Sequence, residues 1–245
     1  GAGAVGVGGA ITSTGNLTIG NDGGAGAITL SGNIGADDAV GAGVVVVGNG
    51  ATASVTLAGV EYTSSGTQTW TANGFSLTGA DITFATSNDN VSFVDGATSG
   101  IVLADDADLT ISTEFGGNGG GNISIAPSLL GTANGANSDV VLNAGSGTVS
   151  VVAMGTDVGS VQITSTGGTT LNGTITADDA VTFTGPVLLD TGAVTVNSSS
   201  GNGAISFTST INGADGTPRA LTLSSGSGAI DIAGIMGGTQ AIGAL

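Results

Sequence analysis

The 245-residue chain contains no cysteine and no histidine, and its single basic residue is Arg219. It therefore has no imidazole base, no thiolate nucleophile or soft-metal ligand, and no lysine for a Schiff base or phosphate contact. These absences exclude most enzyme mechanisms. Two chemistries that use carboxylates remain open, namely hydrolysis by paired acids and the binding of hard cations through oxygen.

Positive charge is almost absent. The chain has 18 acidic residues and one basic residue, which gives a formal net charge of -17. A chain of this charge repels nucleic acid and anionic lipid, so we expect neither as a partner. Long hydrophobic runs are also absent, since no segment offers the roughly 18 consecutive apolar residues of a membrane-spanning helix. We therefore expect no insertion into a membrane.

Proline is scarce, with three residues, and the 48 glycines do not fall at every third position, which excludes collagen. The glycine content could suggest disorder, but 40% of the residues are hydrophobic, many of them β-branched or aliphatic. Disordered segments are poor in such residues. We therefore expect the chain to fold.

A short pattern recurs along the chain, in which an aliphatic residue or Phe is followed by Thr, Ser or Gln and then by another aliphatic residue or Phe. In an extended strand, this pattern places two apolar side chains on one face and one polar group on the other. It predicts strands at Ile28–Leu30, Val55–Leu57, Phe75–Leu77, Ile82–Phe84, Val91–Phe93, Val161–Ile163 and Leu221–Leu223.

Pairs of Asn or Asp followed by Gly separate many of these triplets. Both members of such a pair tolerate positive φ, which predicts sharp bends between strands. The pairs begin at Asn49, Asn73, Asp95, Asn134, Asn172, Asn202, Asn212 and Asp215.

The strand pattern returns at a nearly constant interval. Val181-Thr-Phe recurs at Ile205 and again at Ile230, and most similar triplets start 20 to 27 positions after the one before. An interval of this size is the length of one turn of a parallel β-helix that carries two or three short strands. We predict an all-β fold, a parallel β-helix (β-solenoid) that forms a single segment over residues 1–245, with roughly ten turns of 20–27 residues.

One gap breaks this interval, because Ile101 and Val140 are 39 positions apart. The gap contains the glycine-rich run 116–122 and Pro127. Such a composition indicates either an extra irregular turn or a loop, and we place a possible protruding loop at 116–135.

A stack of this kind, with turns about 4.8 Å apart, forms a rod on the order of 50 Å long. Neither end of the sequence shows an amphipathic helix or a charged cap that would cover an open strand edge. We expect the chain to be a piece of a longer or processed polypeptide. Its ends are expected to meet further turns or another subunit, or to fray.

Several of the repeated phrases resemble the β-strand repeats of giant bacterial surface proteins of the filamentous-haemagglutinin-like adhesin class. The resemblance covers roughly residues 55–245 and rests on Gly66-Thr-Gln-Thr-Trp-Thr71, Val181-Thr-Phe-Thr-Gly-Pro-Val187, Gly203-Ala-Ile-Ser-Phe207, Leu221–Gly228 and Gly237–Leu245. It implies a right-handed parallel β-helix that is exported and displayed outside the cell. It also implies a role in adhesion, biofilm or surface layers without catalysis.

Three aspartate doublets share the frame Ala-Asp-Asp-Ala, at Asp37-Asp38, Asp105-Asp106 and Asp178-Asp179. Neighbouring side chains of a strand point to opposite faces, so both acids can face solvent only at a bend. We interpret the doublets as acidic turn residues. The alternative is a weak calcium site that uses Asp105, Asp106 and Asp108.

A doublet could also serve a polysaccharide-cleaving β-helix, since a pair of carboxylates suffices for glycoside hydrolysis. Sugar subsites usually need aromatic platforms, however, and the chain has one Trp (Trp70) and one Tyr (Tyr62). This pair could grip a glycan if exposed, but we favour a core position for Trp70. We assign no catalytic, cofactor-binding or metal-binding residue.

Threonine repeats raise a further alternative, because ice-binding solenoids present rows of Thr-x-Thr. The motif occurs at 12–14, 67–71, 164–166 and 174–176. Its irregular spacing argues against one continuous plane.

The sequence thus predicts an extracellular or bacterial cell-surface protein with a structural, non-catalytic role. Such a rod would form a stalk, filament or biofilm-matrix fibre, with head-to-tail contacts between copies as its main partner interaction. The alternative is an adhesin module in which residues 116–122 and the face bearing Trp70 bind a glycan or a cell-surface receptor.

Overall fold

The computed structural model describes residues 3–20, 23–35, 43–95, 99–117, 119–132 and 138–243. Within them the secondary structure is entirely β, and the named strands all pair in parallel. The chain passes repeatedly through three sheets in the order face A, face B, face C, which confirms the predicted parallel β-helix. Nine turns place a strand on face C, and a tenth begins on face A with Ala220–Ser224 and continues on face B with Ile230–Ile232.

Face A consists of a six-stranded and a three-stranded sheet, which Met154 joins through isolated bridges to Leu129 and Ile175. Its strands are β1 (Val5–Val7), β3 (Ile28–Leu30), β5 (Val55–Leu57), β8 (Phe75–Leu77), β11 (Ile101–Leu103), β14 (Leu129–Leu130), β19 (Ile175–Thr176), β22 (Ala193–Asn197) and β25 (Ala220–Ser224).

Face B is an eight-stranded sheet, extended by bridges from Ile11 to Ile34 and from Ile34 to Tyr62. Its strands are β6 (Glu61–Ser64), β9 (Asp81–Thr86), β12 (Asp108–Ser112), β15 (Ser138–Gly145), β17 (Val158–Ser165), β20 (Val181–Thr184), β23 (Ile205–Phe207) and β26 (Ile230–Ile232).

Face C is a nine-stranded sheet, extended by a bridge from Ile211 to Met236. Its strands are β2 (Leu17–Ile19), β4 (Val45–Gly48), β7 (Gln68–Ala72), β10 (Val91–Asp95), β13 (Ile123–Ile125), β16 (Val149–Val151), β18 (Thr169–Leu171), β21 (Val187–Leu189) and β24 (Ile211–Gly213).

The turns vary more in length than the sequence pattern predicts. Thr169 pairs with Val187, 18 positions further along the chain, whereas Val91 pairs with Ile123, 32 positions further along. The strands themselves keep their register at both places. The corners between faces therefore absorb the difference in length.

The long gap between Ile101 and Val140 combines one long turn with a change of face. Ile101 lies on face A, and its partner on the next turn is Leu129, 28 positions further on. Val140 lies on face B and pairs with Leu109 below it. The triplet at Ile101 and the triplet at Val140 therefore lie on different faces, so the distance between them is not the length of one turn. Residues 116–135, where we expected an irregular turn or loop, include β13 and β14.

In-register pairing stacks equivalent side chains into columns along the axis. On face B, Val140, Val161, Val181 and Ile205 form one such column, and each is at most 1% exposed. A buried aliphatic side chain contributes about 1.5–3 kcal/mol relative to an exposed one. The columns are therefore the main source of stability, and each turn depends on its neighbours to cover its apolar edge.

Buried hydroxyls close several corners. The side chains of Ser64, Thr113, Ser165 and Ser225 donate hydrogen bonds of 2.6 to 3.0 Å to glycine carbonyls at Gly66, Gly121, Gly147, Gly168 and Gly228. These bonds pair the buried hydroxyls with the backbone of the corners, and they account for the Ser and Thr residues at inward positions.

Asn and Asp side chains connect one turn to the next. Asp108 Oδ1 accepts a hydrogen bond of 2.8 Å from the Asp139 N–H, and Asp139 Oδ1 accepts one of 2.6 Å from the Ser160 N–H. Asn90 and Asn122 act in the same way at the corner between faces B and C. The amide and carboxylate oxygens thus extend the backbone ladder beyond the ends of the strands.

The predicted bends are confirmed at Asn202 and Asp215, whose φ angles are 60° and 46°. The prediction for Asn212-Gly213 was wrong, because both residues belong to β24 and Gly213 pairs with Leu189. Two of the predicted bends, at 95–96 and 134–135, include residues outside those described.

Glycines stack at the corner between faces B and C because the backbone of one turn touches that of the next. Gly121, Gly147 and Gly167 occupy this corner in three successive turns. A Cβ on Gly147 would overlap the carbonyl of Gly121, and a Cβ on Gly167 would overlap that of Gly147. Glycine is therefore required here for close approach rather than for positive φ.

We predict that Gly147→Ala lowers the free energy of unfolding by about 1–3 kcal/mol, because the added methyl group forces two turns apart. Urea unfolding monitored by circular dichroism measures this change. Gly192→Ala is the matched control, since a Cβ there meets no atom within 4 Å. Equal stability of the two variants would contradict the close-packed corner.

Candidate functional site

Tyr62 and Trp70, which could have formed an exposed sugar-binding pair, are fully buried. Their rings meet edge to face with centroids 5.4 Å apart. Phe84 stacks on Tyr62 at 5.0 Å, and Phe93 stacks on Trp70 at 6.2 Å. The interpretation of Trp70 as a core residue is confirmed, and neither ring reaches the surface.

The other aromatic side chains are also inward-facing, with one exception. Phe75, Phe183 and Phe207 are at most 3% exposed. Only Phe115, at the corner after β12, is partly exposed. Faces A, B and C therefore present no aromatic platform of the kind that sugar subsites use, as far as the described residues extend.

Gln68 is a core residue that sequence reasoning missed. It occupies an inward column between Val45 and Val91, and its side chain is fully buried. Its Nε2 donates to the carbonyls of Tyr62 and Ala85 at 2.8 and 3.0 Å, and its Oε1 accepts from Trp70 Nε1 at 3.3 Å. The only sign of this role in the sequence was that Gln68 is a polar residue at a position of the triplet that is otherwise apolar.

Burial raises the pKa of Tyr62 to about 12 from an ordinary value of 10.0, and a hydrogen bond from the Gly59 N–H partly offsets this effect. The Gly59 nitrogen lies 3.1 Å from the hydroxyl oxygen. The low-polarity surroundings disfavour the tyrosinate, so the folded chain holds the phenol proton more tightly than the unfolded chain does.

Two aspartate doublets lie at the corner between faces A and B. Asp105 and Asp106 separate β11 from β12, and Asp178 and Asp179 separate β19 from β20, three turns further along. Asp106 has a φ of 57°, as expected at a tight bend. These two doublets are turn residues, as predicted. Asp37 and Asp38 lie outside the described residues.

A second acidic feature, a column on face B, was not anticipated. Asp81 pairs in register with Asp108, and Asp139 lies on the next turn with its N–H bonded to Asp108 Oδ1; each of the three stands one residue before an inward-facing residue. The signal was present in the sequence as Asp-Ile-Thr-Phe, Asp-Leu-Thr-Ile and Asp-Val-Val-Leu. Across the part of the chain that the structure describes, no three acidic side chains converge closely enough to hold a metal ion.

The single basic residue, Arg219, forms an ion pair with a residue close to it in the sequence. Arg219 Nη2 lies 3.1 Å from Asp215 Oδ1, and the backbone of Arg219 bridges to Ile242. The guanidinium is therefore engaged with a neighbouring carboxylate in the same corner. A site that holds an acidic polysaccharide would need several free cations, and this chain has one cation in all.

The threonine motifs do not share one face. Residues 67–71 lie on face C, Thr164 on face B, and 174–176 at face A, while 12–14 follow Ile11 at a corner. The central outward column of face C is nevertheless rich in hydroxyls, with Thr18, Val46, Thr69, Ser92, Ser124, Ser150, Thr170, Leu188 and Asn212 in successive turns. It is a single column, without a second matching row of threonines beside it on the described strands.

The two end turns expose residues that are buried elsewhere. Ile230 of β26 is 45% exposed, whereas Ile205, its partner in the turn below, is 0% exposed. At the other end, Val5, Ile11 and Leu17 are only partly buried. The largest departures from the interior pattern are therefore at the ends of the stack.

Comparison with known proteins finds no match to this chain. Neither a protein-family model nor a curated protein nor a solved structure matches this chain. Among the described residues there is also no helix of the length and hydropathy needed to cross a membrane.

Tyr62 predicts how stability depends on alkaline pH. Its pKa is higher in the folded chain, so its contribution is complete below pH 10 and is lost as pH rises from 10 towards 12. The loss should reach about 2–3 kcal/mol, at 1.36 kcal/mol per pKa unit. The chain has no cysteine, no lysine and no other tyrosine, so we assign this alkaline loss to Tyr62.

Unfolding midpoints measured between pH 8 and pH 12, together with tyrosinate absorbance, test this prediction. The native chain should lose stability above about pH 10, whereas Tyr62→Phe should show a flat profile. An identical alkaline loss in both proteins would contradict the buried position of Tyr62.

Proposed function

We propose that the chain is a non-catalytic structural rod displayed outside a bacterial cell, as part of a stalk, filament or biofilm-matrix fibre. The observation that carries this proposal is the continuous stack itself. Three parallel faces share one apolar core from Val5 to Ile242. The long polar and aromatic side chains at inward positions contact one another within this core. What all turns have in common is thus their packing against the neighbouring turns.

Rigidity follows from this arrangement. Each interior turn is hydrogen-bonded to the turns on both sides along three faces, and the corner side chains of Asn and Asp add further bonds. Bending the rod would open several parallel ladders at once and expose buried columns. A stack of this kind resists mechanical deformation. It also resists proteolysis, because its backbone cannot enter the active site of a protease while the stack is intact.

The non-catalytic part of the proposal is supported by the side chains that the surface offers. The chain has no histidine, cysteine or lysine to act together with its carboxylates, and the described aromatic rings other than Phe115 are buried. Display at the cell surface is supported by the resemblance of the repeats to filamentous-haemagglutinin-like proteins. The same burial of Tyr62 and Trp70 removes the residues on which a glycan-binding role would most naturally depend.

Limited proteolysis and electron microscopy test the rod. Trypsin has one possible cleavage site, at Arg219, whose side chain is 17% exposed and paired with Asp215. We expect the folded chain to remain intact under conditions in which the urea-unfolded chain is cut at Arg219. Images should show particles roughly 45 Å long, for nine turns about 4.8 Å apart. Rapid cleavage of the folded chain would contradict a rigid rod.

Display outside the cell is tested separately, with antibodies raised against the chain. They should label intact cells of the source bacterium without permeabilisation. The purified rod should show no binding on a glycan array and release no sugar from polysaccharides. Labelling that requires permeabilised cells would overturn the proposed location, and specific glycan binding would favour the adhesin alternative.

A further inference from the structure

We propose that face C carries a row of N-glycosylation sites, at Asn16, Asn90 and Asn122, which receive sugar from a glycosyltransferase of the source bacterium. This inference rests on the proposed display outside the cell, where such sugars are typically found. The acceptor motif is Asn-x-Ser or Asn-x-Thr with x other than Pro. The chain contains five such motifs, which begin at Asn16, Asn90, Asn122, Asn172 and Asn197.

The three proposed sites lie in one column on the outer side of face C. Each stands immediately before a strand, at β2, β10 or β13. The register of the intervening strands places the three in line along the rod axis, at the edge of face C that adjoins the corner with face B. Asn90 and Asn122 are on successive turns, and Asn16 is three turns before Asn90. All three residues are exposed.

One hydrogen bond orients each of these amides and leaves its nitrogen free. The Oδ1 atoms accept backbone N–H groups of the next turn at 3.0, 2.7 and 2.8 Å, from Val44, Asn122 and Thr148 respectively. Within the described part of the chain, the three Nδ2 groups donate no bond. The oxygen therefore connects the turns, while the nitrogen is available for substitution. A sugar on Nδ2 would leave the Oδ1 bond in place.

The hydroxyl that completes each motif is accessible as well. Residues i and i+2 of a strand point to the same face, so Thr18, Ser92 and Ser124 stand on the outer side of face C beside their asparagines. None of the three is buried, and among the described residues none of their hydroxyls is hydrogen-bonded. An enzyme that approaches face C therefore meets the amide and the hydroxyl of one motif together.

The other two motifs differ in their hydrogen bonds. Asn172 Nδ2 donates to Ser150 Oγ at 3.2 Å and to the Val151 carbonyl at 3.3 Å, so a sugar there would break contacts between turns. In the motif at Asn197, the hydroxyl of Ser199 donates to the Oδ1 of Asn197 at 2.7 Å and is not free for an enzyme. We therefore expect these two asparagines to remain unmodified.

The transfer needs an activated sugar as its second reactant. The donor is a sugar held through its anomeric carbon on the phosphate of a nucleotide or of a lipid carrier. Nδ2 forms a bond to the anomeric carbon, and the bond from that carbon to the phosphate oxygen breaks. The phosphate leaves with the bonding electron pair, and the amide nitrogen loses one proton. The chain supplies only the acceptor groups, and the transferase supplies the catalytic groups.

Mass spectrometry of the chain isolated from the source bacterium tests the proposal. The chain is unfolded and cut beside its aspartates, and fragmentation locates any sugar on a single asparagine. We expect sugar on Asn16, Asn90 and Asn122, and none on Asn172 or Asn197. A single sugar at each site would identify a nucleotide-linked donor, and a preassembled oligosaccharide would identify a lipid-linked one. Five bare asparagines, or equal occupancy of all five, would overturn the proposal.

Variants of one motif separate modification from the role of asparagine in the stack. Ser124→Ala should abolish sugar on Asn122 and leave stability unchanged, because the Oδ1 bond to the next turn remains. Ser124→Thr is the matched control, and it should keep the sugar. Sugar that persists on Asn122 in the Ser124→Ala chain would contradict recognition of this motif.

A gain of sugar provides a second measurement. Thr148 follows Asn122 in the same column, and Ser150 stands two residues after it. Thr148→Asn therefore completes a new motif on face C and should add one occupied site. Circular dichroism confirms that the variant folds. A folded Thr148→Asn chain without sugar at residue 148 would contradict the column as the surface that the enzyme recognises.

Failure of this inference is distinguishable from failure of the proposed function. A chain without sugar that antibodies still detect on intact cells would overturn the glycosylation sites and leave display outside the cell in place. A chain that carries sugar at the three asparagines but is labelled only after permeabilisation would support the sites and overturn the display.

Discussion

The whole structure depends on one constraint, which is that each turn must return the same inward positions to the same columns. Parallel pairing in register enforces this constraint through backbone hydrogen bonds, and burial of the columns supplies most of the free energy. A slip of one residue would turn every inward side chain of a strand to the solvent. The inward columns consequently keep their register, apart from shifts towards the two ends of the pairing between β15 and β17, while the length of the connecting corners varies between neighbouring turns.

The corners show how that freedom is used. At the corner between faces B and C, glycines allow the backbones of successive turns to approach closely, as at Gly147 and Gly167. Hydroxyls at the same corner bind glycine carbonyls, both where the connection is long, as at Thr113, and where it is short, as at Ser165. Asp108 and Asp139 carry the hydrogen-bond ladder from one turn to the next, because each accepts a backbone N–H of the following turn. These polar side chains thus help to hold the turns of the stack together.

The fold could be predicted from the sequence because its signal is both local and repeated. The triplets at Val161, Val181 and Ile205 show the alternation of a strand and the interval of a helical turn together. The number of faces and the pairing of Ile101 with Leu129 could not be predicted, since triplets on different faces look alike. Gln68 was missed because its side chain behaves as a core residue only when three specific partners surround it. The core position of Trp70 was predictable, because a lone large ring in a narrow solenoid fills space.

The central claim is the parallel, in-register pairing of successive turns, and methyl-based nuclear magnetic resonance tests it most directly. Through-space contacts should link Val161 to Val181, Val181 to Ile205, and Ile205 to Ile230, so that residues 20, 24 and 25 positions apart are neighbours in one column. Antiparallel hairpins would instead give contacts in which one residue number rises as its partner's falls. Contacts of that second kind, with none along the predicted column, would contradict the account.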